Sequence, residues 1–187
     1  MAIVLNGTTG ITGNSGTLIS ASTIGVGGAT PAASGAGITF PATASASSDA
    51  NTLDDYEEGV WTPTLTASSG SFSSVTYTDT DSTYTKVGRI VFINCILGWS
   101  AFSVGTASGN LLVGGLPFAS ANNESLLTTT TFNLNWPNSG TIVGQVLTSS
   151  SIQFRVGQDN GAWNIVSVSA QGSAEQNYIR LSGCYAI

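Results

Sequence analysis

From Val60 onward, short runs rich in Val, Ile, Thr, Phe, Tyr and Trp alternate with clusters of Ser, Gly, Asn and Asp. β-Branched and aromatic side chains fit a pleated, half-buried surface. Ser, Gly, Asn and Asp supply the backbone conformations that turns need. The pattern predicts strands at 60–66, 72–78, 82–87, 89–99, 111–115, 126–134, 140–147, 150–156, 163–169 and 177–185. Asp159-Asn160-Gly161 is the sharpest hairpin signal among the breaks. Strands recurring about every 8–14 residues, with no long helical period, predict an antiparallel β-sandwich of jelly-roll type. A short helical turn is expected at 53–58, capped by Asn51 or Thr52.

One stretch departs from simple alternation. Ile90, Val91, Phe92, Ile93, Cys95, Ile96 and Leu97 are almost continuous. Such a strand is expected to bury both faces, the second of them against another subunit.

Residues 1–50 have a different character. Gly, Ala, Thr and Ser dominate, with Phe40 the single aromatic residue and Asp49 the single charge. A segment of this kind buries too little apolar surface to fold alone. It nonetheless carries spaced β-type runs: Ile3 to Leu5, Gly10 to Thr12, Thr17 to Ile19, Thr23 to Val26 and Gly37 to Phe40. Glycines between isolated Ile, Val and Leu residues allow thin chains to approach one another closely. The expectation is an extended, β-rich shaft or anchor, ordered by intertwining with copies of itself. The chain thus divides into 1–50 (shaft or anchor), 51–59 (acidic junction) and 60–187 (head).

Composition sharpens this picture. Only 7% of residues are charged, while 41% are hydrophobic. An ordinary soluble domain carries about 25% charge, so part of this surface is expected to be covered in an assembly. Lys86, Arg89, Arg155 and Arg180 are the four basic residues, against a net charge of −6. Four scattered cations make no nucleic-acid footprint unless oligomer symmetry gathers them on a single face, and no nucleic-acid partner is expected. No apolar run approaches the roughly 20 residues of a membrane span, and Met1 to Leu5 is too short for a signal-peptide core. Neither membrane insertion nor a signal peptide is expected. Cys95 and Cys184 both sit in apolar runs and are expected to be buried, reduced thiols.

The inventory for chemistry is thin. Without histidine, Ser/His/Asp and Cys/His arrangements cannot form. Asp54, Asp55, Glu57 and Glu58 are the one dense carboxylate cluster. Paired carboxylates cleave glycosides in tailspike enzymes, but a cluster beside a hinge reads better as a solvated collar or as partners for Lys86 or Arg89. The same cluster repeated around an axis offers oxygen ligands for Ca²⁺, yet without EF-hand spacing no metal or cofactor is expected. Nor is an enzyme. Trp136 and Trp163 flank turn signals and are candidate glycan contacts. Trp61 is expected as a core or junction anchor.

The segment Asn51-Thr-Leu-Asp-Asp-Tyr-Glu-Glu-Gly-Val-Trp-Thr-Pro-Thr-Leu65 resembles a recurrent segment of bacteriophage tail-fibre and related virion proteins, especially those of cyanobacterial phages. Tyr84-Thr-Lys-Val-Gly-Arg89, Gly115-Leu-Pro-Phe118, Ile179-Arg-Leu-Ser-Gly-Cys-Tyr185 and the opening Met1 to Thr12 extend the likeness. It implies a homotrimer, with a thin shaft attached to other virion proteins and a β-sandwich knob. Asp54, Asp55, Tyr56, Glu57, Glu58 and Trp61 become candidate junction or trimer contacts. The expected function is a short trimeric tail fibre touching a host-surface glycan. The alternative is a capsid decoration or tail connector protein with no ligand. A glycan-cleaving tailspike is the reading least favoured.

Overall fold

A computed structural model describes residues 23–44, 47–122, 125–135, 140–157, 161–170 and 176–187. The chain divides into two compact units, residues 1–45 and 46–187. In the first unit, β1 (Thr23–Gly25) pairs in parallel with β2 (Gly37–Thr39). The Val26 N–H donates to the Thr39 carbonyl, and the Thr39 hydroxyl accepts from the Ala32 N–H. Gly25 is obligatory here, because a Cβ would lie 2.1 Å from the Ala29 carbonyl oxygen. Ile24 and Ile38 remain exposed within this unit. The β-type runs expected before Thr23 lie outside the described residues.

The second unit is all-β. Its strands are β3 (Tyr56–Val60), β4 (Thr64–Ser69), β5 (Ser74–Asp79), β6 (Ser82–Val87), β7 (Ile90–Ser103), β8 (Ser108–Gly114), β9 (Leu126–Phe132), β10 (Ile142–Leu147), β11 (Ser151–Val156), β12 (Asn164–Ile165) and β13 (Asn177–Ala186). They join one antiparallel sheet in the order β3-β6-β7-β13-β9-β10-β11-β8-β4. β5 pairs with the distal half of β7, and β12 with β11. The expected sandwich is thus one hydrogen-bonded sheet that curls around its own core. The curl brings β4 back beside β5, where the Leu65 N–H donates to the Tyr77 hydroxyl at 2.9 Å. Inward residues of both halves, among them Trp61, Leu65, Trp99, Val113, Phe154 and Leu181, form one apolar cluster.

Three local expectations are corrected. No helical turn forms at 53–58; Tyr56–Val60 is a strand, because β6 offers it a full register from Tyr56↔Val87 to Val60↔Thr83. The strand expected at 60–66 is interrupted, since Pro63 lacks the N–H a ladder needs; β3 ends at Val60 and β4 begins at Thr64. The third concerns β7, which is not buried on both faces. Val91, Ile93, Cys95 and Leu97 face the core, while Ile90 and Phe92 are exposed. β13 repeats this alternation beside it, so Cys184, opposite Phe92, is exposed rather than buried. Both thiols are free. They sit on opposite faces of the sheet, which rules out a bridge between them.

Candidate functional site

The acidic junction folds in on itself. The Asp54 carboxylate accepts from the Ser47 N–H at 2.6 Å. Asp55 is buried and ion-paired with Lys86, itself buried. The register Glu57↔Lys86 between β3 and β6 brings in a second carboxylate, with Glu57 Oε1 at 3.3 Å. The Lys86 ammonium also sits 4.8 Å from the centre of the Phe118 ring. Burial alone would lower the Lys86 pKa, but bonds to Asp55 and Glu57 outweigh it and leave it raised. Phe118 packs edge-on against Tyr84 at 5.5 Å. Its backbone is pinned by Tyr185, whose hydroxyl donates to the Phe118 carbonyl at 3.0 Å. Burial pushes the Tyr185 phenol up to about 12.

The expected solvated collar is therefore corrected for its centre. Asp55 and Lys86 neutralise each other, which lets both leave water. Tyr56 and Glu58 remain on the outer face, where the Tyr56 hydroxyl donates to Glu58 Oε2 at 2.8 Å. That hydrogen bond raises the Tyr56 pKa. Trp61 is buried in the core. Four segments that carry the sequence resemblance, 51–65, 84–89, 115–118 and 179–185, thus meet in this one cluster. At its centre the arrangement is structural, because Asp55 and Glu57 face Lys86, and Lys86 also faces the Phe118 ring.

The tryptophan candidates separate. Trp163, immediately before β12, is 53% exposed. Trp136 lies outside the described residues.

A more organised feature was not legible in the sequence. On the outer face of β9 and β13, Phe132 stands directly opposite Tyr178, and Thr130 opposite Arg180. With Thr131 and Gln176 they line a recess of about 360 Å³. Phe132 is 62% exposed. Gly98 gives Tyr178 its place: a Cβ there would lie 2.6 Å from the Tyr178 ring. Asn133, next to Phe132, has φ 60°, a left-handed conformation that Asn tolerates better than most residues. Its side-chain amide donates to the Gln176 carbonyl at 3.2 Å, tying the end of β9 to the start of β13. The recess thus presents a bare aromatic face, a phenol, an amide and a guanidinium where the end of β9 meets the start of β13. That combination suits a sugar ring, which offers both an apolar face and hydroxyls. A larger recess of about 620 Å³ beside the β10–β11 hairpin is lined by Thr64, Thr66, Ser149, Ser151 and Gln153 among others, without an aromatic or charged side chain.

Among the described residues, no group of three or more Cys, Asp or Glu side chains is placed to hold a metal ion. No helix among them is long and apolar enough to cross a membrane.

No protein-family model matches the chain. No curated protein matches it either. Among solved structures it is similar to the Dettilon tailspike protein (gp208), with a TM-score of 0.54 and 19% identity over 70% of this chain. The match spans 24% of that tailspike chain. This likeness overturns one expectation. Residue content argues against tailspike-type glycan cleavage and against an enzyme, but the fold of this chain recurs within a tailspike protein, so residue content alone does not exclude that activity. What the chain and that protein share is an all-β fold.

Proposed function

We propose that this chain is a structural component of a phage tail, a short trimeric protein of fibre or tailspike type whose head holds a glycan of the host surface. The observation that carries the glycan reading is the recess of Phe132, Tyr178, Gln176 and Arg180 on the outer sheet face. The fold shared with a tailspike protein supports the tail assignment, as does the likeness of residues 51–65 to phage fibre segments. That segment also favours a cyanobacterial phage as the source. Residues 1–50 serve as the attachment to other virion proteins, and the exposed Trp163 adds a second flat contact surface. Three weak, identical sites on a trimer combine through avidity.

Immunogold labelling of intact particles is expected to mark the tail; labelling of the capsid would sink the tail assignment in favour of a decoration protein. Purified protein is expected to be retained on immobilised host-surface polysaccharide and to lose retention on Phe132→Ala. Unchanged retention of that variant overturns the recess as the glycan site. The tailspike fold also favours a second reading, in which the assembly cuts the polymer it holds, read out as release of reducing sugar.

A further inference from the structure

The outer face of β3, β6, β7, β13 and β9 carries more apolar surface than a free head needs. The cross-strand register sets Tyr56, Val87, Ile90 and Ala186 in one row, and Glu58, Thr85, Phe92 and Cys184 in the next. Leu126 continues the second row on β9, by extension of the Ser182↔Thr128 pairing. Phe92 is 50% exposed and Leu126 56%, with Tyr56, Val87, Ile90 and Val60 also open. Five strands are about 19 Å wide, and β13 about 34 Å long. β3, β6 and β9 run only five to seven residues beside it, about 20 Å, so the shared face is on the order of 400 Å², about half of the roughly 800 Å² that each partner gives to a stable interface.

Charge on this face is sparse and complementary. Across the outward strand positions, the charged residues are Glu58 on β3 and Arg180 on β13, with Asp81 and Arg89 exposed just beyond the two ends of β6. Neither forms an ion pair within the chain among the described residues; both ion pairs there belong to Lys86. Glu58 and Arg180 stand three strands apart across the sheet and four residues apart along it, about 14 Å in each direction. They are therefore mirror positions about a line inclined by about 45° to the strands, close to the tilt of strands in closed sheets. Copies related by an axis along that line bring Glu58 of one onto Arg180 of the next. The line passes beside Cys184, with Phe92 and Leu126 on either side. An unrelated partner would have to match this arrangement; a second copy already does.

We infer that this face is where copies of the chain pack on one another, with Phe92, Ile90 and Leu126 at the centre and Glu58–Arg180 pairs at the margin. The inference rests on the oligomeric reading above; it leaves Phe132, Tyr178 and Gln176 outside the contact and gives Arg180, at the edge of their recess, to Glu58 of the next copy. It also makes Cys184, exposed in the single chain, a buried residue of the assembly.

Cys184 supplies the test, because Cys95 is fully buried in the core. In the full-length protein, maleimide labelling of Cys184 is expected to be slow. Phe92→Glu, a surface change in the single chain, is expected to speed it by about tenfold or more, as protection is lost. Glu58→Arg alone is expected to speed labelling through like-charge repulsion, and the exchanged pair Glu58→Arg with Arg180→Glu to restore protection. Rapid labelling of the wild-type oligomer would overturn the face assignment while leaving the oligomeric reading standing. A scattering mass near 18.9 kDa would sink the oligomeric reading itself. Failure of the exchanged pair to restore protection would overturn the Glu58–Arg180 docking.

Discussion

The Lys86 cluster and the Phe132 recess use similar side chains to opposite ends. Each combines aromatic rings with a cation on neighbouring strands. In the first, Lys86 is enclosed by Asp55, Glu57 and the Phe118 ring. In the second, Arg180 and Phe132 face outward on a strand pair whose inward neighbours, Ile179 and Leu181, fill the core. The difference lies in satisfaction rather than composition. Groups whose partners are all supplied by the chain hold it together, while groups left facing solvent are free to bind something else.

This contrast is open to direct attack, and the largest effect is expected at Lys86. Lys86→Ala leaves the Asp55 carboxylate buried without a counter-charge, a change that costs about 3–5 kcal/mol. Urea denaturation should show it as a large fall in midpoint; a fall no greater than for a surface lysine would mean the cluster is not structural. Tyr185→Phe removes the hydroxyl that pins the Phe118 backbone. A loss of about 1–3 kcal/mol is expected, read by thermal melting.

The alkaline limb tests the closed region in another way. Burial raises the Cys95 thiol to about 11 from 9.0. A raised pKa contributes stability that is whole below the unfolded value and disappears as pH climbs through the folded one. The Cys95 contribution is therefore lost between pH 9 and about 11. The raised Lys86 pKa acts with the same sign, above its ordinary 10.5. Stability followed by denaturant midpoint should decline above pH 9, and Cys95→Ala should shift the onset upward. A decline of unchanged onset in that variant would assign it to other groups.

The recess is expected to behave in reverse, with small effects on stability and larger ones on binding. Gly98→Ala should displace the Tyr178 ring, costing about 1–3 kcal/mol by overpacking and weakening polysaccharide retention. Phe132→Ala should change stability by no more than about 0.5 kcal/mol, as for most surface positions. It should still weaken retention by about tenfold, or 1.4 kcal/mol. A Phe132→Ala protein that melts several degrees lower would show the ring to be part of the core instead.

Much of the strand pattern could be read from residue order alone. Strands at 82–87 and 150–156 were legible because β-branched runs end at turn residues with distinct local chemistry. β7 defies its sequence pattern because continuous hydrophobicity does not say which face a neighbour covers. Ile90 and Phe92 look like core residues, yet the sheet supplies no layer over them. Tyr56–Val60 defies its local sequence because Asp and Glu after a capping residue resemble a helix start. What converts it to a strand is the pairing with β6, some thirty residues later in the chain.

The candidate site was still less visible. Phe132 and Tyr178 are far apart in sequence, and neither lies in a motif. Only the β9–β13 register makes them neighbours, and only Gly98 on β7 gives the Tyr178 ring its place. Trp163 could be singled out because an indole beside a turn signal is a local feature.

The sequence by itself determined an all-β chain, poor in charge and without histidine, that changes character near residue 50. These are properties of composition and local period, and local physics sets them. Tertiary structure decided which side of each strand is covered, which charges meet and which aromatics stay bare. Those outcomes depend on register between strands that are distant along the chain. A shift of one residue in that register would carry every side chain to the opposite face.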